Sequence, residues 1–278
     1  MSRRDRQKLR DRVARVSEFA SRIGQSATQL ALVSAGDPVL AIPAGAIVGQ
    51  TINDVGKDLA HRLMSDSQAR RAADFVEETV TLIQQHLDHG DRVRNDGFFE
   101  AGLRHDDARE VYEAAALVAA DTPARRKLHH IAALSAAIPF RDDVSVETSA
   151  FLIKLLDQLT YRQLVLLAAF NDGTPVQKLR ETSPLAEERL LVGAEIEAEM
   201  IDLDTRRLLG TGVTGGRIAR ISTDRFGGSN VRTTDLGEIT LTPLGITLHD
   251  LADLAAIPTR EQVAALRDAW HARPGGSE

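Results

Sequence analysis

The chain has no cysteine among its 278 residues. That absence excludes a disulfide framework, thiolate zinc sites and a cysteine nucleophile together. Aromatic side chains are scarce at 4%. Ala, Leu, Val and Ile supply the apolar mass instead, the usual material of packed helices, so the composition predicts a mainly α protein. Two chemical signatures are also missing: the Gly-Lys-Ser/Thr of a phosphate loop and the Gly-x-Ser-x-Gly of a nucleophile elbow. Gly212-Val-Thr-Gly215-Gly216 follows an expected helix and precedes an expected strand, so its glycines suit a wing tip better than a phosphate cradle. The expectation is a protein that is not an enzyme and carries no cofactor.

Charge is nearly absent from one stretch. Between Ile23 and Asn53 the only charged side chain is Asp37. Gly36-Asp37-Pro38 divides this stretch into two arms, the second with Ala41, Gly45 and Gly49 at four-residue spacing. Small residues on one helical face let another backbone approach closely. Each arm offers about 15 residues, or roughly 22 Å of helix, against the ~30 Å of a hydrocarbon core. A buried Gly-rich hairpin is expected, with membrane attachment through residues 1–53 as the alternative.

The net charge of −6 is unevenly placed. Residues 1–22 carry eight basic side chains, Arg3, Arg4 and Arg6 among them, against Asp5, Asp11 and Glu18, which leaves −11 for the rest. Leu9, Val13, Val16, Ala20 and Ile23 place an apolar stripe on the same segment, predicting an amphipathic helix over 3–23. Ser2-Arg3-Arg4 opens like a twin-arginine signal, but charge continues to Arg22 where an apolar run should start. No signal peptide is expected, and the compartment is read as cytoplasmic, with or without peripheral membrane contact.

Further along, periodicity predicts helices over 66–89, starting at Ser65 or Asp66 and ending at Gly90, then over about 106–121. Thr122-Pro123 has the form of an N-cap followed by a first-turn proline, for a helix running to Ile138. The loop 90–99 brings Phe98 and Phe99 back towards a core, and another helix covers 145–159. The polar step Arg141-Asp142-Asp143 is the expected boundary between domains 1–141 and 142–278. The histidines offer little: His86 and His89 sit near a helix end, His105 opens a helix, and His129 and His130 point about 100° apart. No metal site is expected.

From Thr160 the order becomes a capped apolar helix, a short helix after Thr174-Pro175, a longer helical region over 184–209, a Gly- and Arg-rich run, a strand, and a helix opened by Thr242-Pro243 and reaching Leu254. That is the order of a winged helix-turn-helix-like module with a small β-hairpin. "RRLLG … ITLTPLGITLHDLADL" resembles the wing and final helix of many bacterial winged-helix proteins. The region 184–209 holds seven acids against Arg189, Arg206 and Arg207, a surface that repels a duplex. Arg217, Arg220, Arg225 and Arg232 give the following run a mild positive balance suited to a phosphate backbone. Protein contact, including self-association, is therefore expected over DNA binding, with a winged-helix transcriptional regulator as the alternative.

Two stretches, "YEAAALVAADTPARRKLHHIAALSAA" and then "SAFLIKLLDQLTYRQLVLLAAF", resemble the bacterial abortive-infection alpha family. There a helix rich in small residues precedes a leucine-rich helix that leads through a Leu-Ser/Thr step into the first winged-helix helix. The chain departs from that family in lacking a tryptophan in the middle helix, its one Trp being Trp270. The resemblance implies a role in phage defence. Membership carries over no single residue.

Overall fold

The computed structural model describes residues 65–96, 98–99, 107–172, 198–211, 239–259 and 261–262, with Thr51 and Val55 besides. Helix dominates among them, joined by one two-stranded antiparallel sheet. Two compact units divide the chain, Met1–Gln158 and Leu159–Glu278. The helix Val146–Gln158 thus groups with the residues before it, where a break at 141/142 was expected.

In the first unit, α1 spans Asp66–Asp88. Ser65 accepts from the backbone N–H of Gln68, and the Gln68 side chain accepts from the Ser65 N–H in return. This reciprocal cap satisfies two helix-end donors at once. At the other end the Asp91 N–H donates to the His86 carbonyl and the Gly90 N–H to the Leu87 carbonyl, both at 3.0 Å. That pair closes a Schellman turn, and Gly90 supplies the left-handed residue at φ 87°. Both expected ends of this helix are where the sequence predicts them.

α2 spans Asp107–Asp121 and α3 Arg125–Ala137. α1 packs against both, α2 also meets α3, and α4, Val146–Gln158, lies against α2 and α3. Alanine makes these approaches close: Ala72, Ala115, Ala116, Ala119, Ala132 and Ala136 are fully buried. The buried hydroxyls of Thr79 and Ser135 turn inward to the carbonyls of Phe75 and Ile131, each at 2.8 Å, and so need no partner across the interface.

The junction between α2 and α3 differs from its expectation. The Thr122 N–H still donates to the Val118 carbonyl at 2.9 Å, which makes Thr122 the end of α2. Its hydroxyl caps no N–H, and the next helix begins only at Arg125. Ala124 takes the N-cap position with no side-chain hydrogen bond, and Pro123 lies before it. Past α3, Pro139 sits within a 3-10 turn, Ile138–Phe140, instead of lying beyond the helix.

Phe98 is buried, as the loop reading expects, with the half-buried Phe99 edge-on at 4.8 Å. Arg94 pins this loop. Its buried side chain donates to the Val144 carbonyl at 2.9 Å, pairs with Asp96 and lies 4.5 Å from the Phe98 ring centre. The Arg94 guanidinium holds the Asp96 carboxyl below its ordinary range, more than offsetting the opposing effect of burial.

In the second unit, α5 spans Tyr161–Asn171 behind a second capping box, in which Gln163 reciprocates Thr160. Residues 198–205 are helical, β1 is Leu209–Thr211, β2 is Ile239–Leu241 and α6 is Pro243–Leu251. Leu209 stands opposite Leu241, Gly210 opposite Thr240 and Thr211 opposite Ile239. β2 and α6 pack on α5. β1 falls where continued helix to Gly210 was expected. Arg207 turns left-handed at φ 63°, the Leu208 N–H donates to Leu203 and the Arg207 N–H to Asp204, so a Schellman turn ends the helix first. α6 likewise stops short of Leu254: Asp253 is left-handed at φ 48°, and Leu254–Ala256 forms a separate 3-10 turn.

Candidate functional site

The second unit presents the best-defined surface, built at the point where 198–205, the strand pair and α6 meet. Thr242 organises the corner. As N-cap of α6 its hydroxyl accepts from the Gly245 N–H at 3.1 Å, and it donates to the Arg207 carbonyl. The Thr242 N–H donates to the Leu208 carbonyl at 3.1 Å. Gly245 then passes so close that a Cβ would stand 2.2 Å from that same Leu208 oxygen. Only glycine fits there.

This corner fixes the direction of the preceding helical run and hence of its charged side chains. Asp202 accepts from Gln163 Nε2 and from Arg206 Nε, both at 2.8 Å. Desolvation pushes the Asp202 carboxyl up, but these two hydrogen bonds outweigh it and hold the group below its ordinary range. Glu199 pairs with Arg162 of α5 at 3.1 Å. Gln163 therefore works twice, its oxygen in the helix cap and its nitrogen on the carboxylate. Asp204 is buried.

Between these pairs Ile201 faces solvent with 45% of its surface exposed, and Ile246 on α6 is equally exposed. Sequence reasoning missed both. The available signal is spacing: Met200 and Leu203 take the buried face of one helix, Leu248 and Leu251 that of the other, and each isoleucine falls off that stripe. In the first unit Phe151 is half exposed in the same way.

The interaction residues read from the sequence, Arg3, Arg4, Arg6, Gly45, Gly49, Arg217, Arg220, Arg225 and Arg232, all lie outside the described residues. So do the expected helix over 3–23, most of the 23–53 hairpin, the short helix after Pro175 and His105. The other histidines read from the sequence, His86, His89, His129 and His130, are among the described residues. His86 stacks on Phe140 at 4.7 Å and bonds Asp91 through Nδ1 at 2.6 Å, while His89 bonds the Gln85 carbonyl. His129 meets Glu78 at 2.6 Å, and His130 is buried with its ring edge-on to that of His129. Among the described residues, no group of three or more His, Cys, Asp or Glu could hold a metal ion. No helix among them is long and apolar enough to cross a membrane.

Among the described residues, three buried side-chain atoms find no hydrogen-bond partner: Tyr112 Oη, Thr122 Oγ1 and His249 Nε2. Burial raises the Tyr112 hydroxyl pKa strongly, so it stays protonated. Burial lowers that of the Lys127 amine, against the opposing pull of Asp157, whose carbonyl it reaches at 2.8 Å. Comparison of the chain with protein-family models, with curated proteins and with solved structures finds no match in any of the three.

Proposed function

We propose that the chain is a non-enzymatic interaction or effector protein, acting in bacterial defence against phage, whose C-terminal unit contacts protein instead of reading DNA. The placing in defence rests on the resemblance to the abortive-infection alpha family. The helix, strand, strand, helix order of 198–251 is read as the later part of a winged-helix module.

One observation carries the preference for protein. Two arginines beside the acidic run are spent on its carboxylates, Arg206 on Asp202 and Arg162 of α5 on Glu199. A DNA-reading surface presents such side chains to phosphates, where each neutralised phosphate adds to the salt dependence of binding. Ile201, outward-facing beside these pairs, suits a partly apolar protein contact.

An electrophoretic mobility shift with the full chain, titrated in salt, tests the reading against a transcriptional regulator. The expected result is no retardation of duplex even at low salt. A complex that weakens steeply on a log–log salt plot contradicts it. Plating efficiency of a phage panel on cells expressing the chain tests the defence role. Protection that Ile201→Asp abolishes supports it, and unchanged plating on every phage removes it.

A further inference from the structure

We propose that the corner joining α2 to α3 is a built-in opening point of the N-terminal unit, where the first turn of α3 unwinds without the rest of the bundle. Four features converge there. Ala124, the N-cap, makes no side-chain cap hydrogen bond, so only its carbonyl, which accepts from the Lys127 N–H at 2.8 Å, closes the first turn. Arg125, Arg126 and Lys127 fill the first turn with no acid among them, which sets three cations against the positive end of the helix dipole. Thr122 is buried at 3% exposure with an unpartnered hydroxyl. Lys127 is buried as well, its amine held by a single carbonyl, that of Asp157 on α4.

Each feature disfavours the closed form. What opposes them is tertiary contact. The Lys127–Asp157 bond is one tie and the His129–Glu78 contact at 2.6 Å a second, while the Arg125–Asp74 pair is long at 3.5 Å and carried by an arginine side chain 86% exposed. The end of α2 is held to α1 by two bonds on its own last turn: Gln68 donates to Asp121 and Arg71 to the Ala120 carbonyl, both at 2.7 Å. Opening therefore stops at Thr122 on one side. On the other side it stops at Ile131–Leu134, a stretch with almost no solvent exposure apart from Ala133. The movable piece is one helical turn.

Native-state hydrogen exchange of the full chain, followed across low denaturant, tests this directly. The amides of Lys127, Leu128 and His129 should exchange through an opening with shallow denaturant dependence, while those of Ala132, Ala133 and Leu134 follow global unfolding. Ala124→Asp supplies the missing cap and a compensating charge, and should slow exchange at 127–129 about fivefold. Ala124→Ser, milder at this half-buried position, should act in the same direction. Exchange of 127–129 on the same curve as 132–134 overturns the proposal, as do rates that neither variant changes.

Discussion

Two helix starts in the same bundle make an instructive pair. α1 begins at Ser65 with a reciprocal cap made by its own first four residues. α3 begins at Ala124 with no cap and three cations, one of them a buried lysine. The first start is coded locally and would be recognised in isolation. The second exists because Lys127 and Arg125 find partners on other helices. Helix ends in the two units repeat the contrast: Gly90 and Arg207 close the same hydrogen-bonded turn, and only Gly90 is suited to a positive φ. Local chemistry and tertiary packing agree at some junctions and conflict at others.

The largest effect is expected where they agree most tightly. Gly245→Ala drives a Cβ into the Leu208 carbonyl and should destabilise the C-terminal unit by about 3 kcal/mol in urea denaturation. Gly90→Ala meets open space, so it should cost only the left-handed backbone strain, about 1 kcal/mol. Similar losses for the two would show that the Gly245 approach is not close. Thr160→Ala removes a capping box whose glutamine also holds Asp202, and should cost about 1 kcal/mol. Where sequence and packing conflict the sign reverses. Arg207→Gly should stabilise by about 0.5 kcal/mol, relieved strain exceeding the added unfolded-state entropy.

The smallest effect is a slope. The Lys127 amine binds its proton less tightly folded than unfolded, because burial lowers its pKa below 10.5. The unfolded chain therefore takes up more protons in that window, and this residue's contribution to stability rises with pH from the folded pKa towards 10.5. Subtracting the denaturation midpoints of Lys127→Met from those of the wild type, over about pH 8 to 10.5, isolates the slope. A difference that does not change with pH would show that the lysine is solvated.

These junctions also explain which elements the sequence reveals. The ends of α1, the Thr160 cap and the Thr242 cap are legible because serine, threonine and glycine act on backbone a few residues away. The Thr122-Pro123 pair misleads because α2 runs up to Thr122 and α3 starts only at Arg125, which leaves the threonine hydroxyl with no N–H to cap. β1 is hidden because Arg207 does the work of glycine. The carboxylate pairs of the candidate surface are half legible. Asp202 and Arg206 stand four apart on one helix, whereas Arg162 and Gln163 reach them from α5 across the fold. Exposure of Ile201 and Ile246 follows from helical phase once the buried stripe is placed.

The most direct test of this account is a paired denaturation measurement of Ser65→Ala and Ala124→Ser, two changes of one oxygen atom at the two contrasting helix starts. The expected result is opposite signs, with the first losing about 1 kcal/mol and the second gaining about 0.5 kcal/mol. A loss of stability in both variants would mean that packing at Ala124 has no room for a cap, and would contradict the claim that α3 starts there without local support.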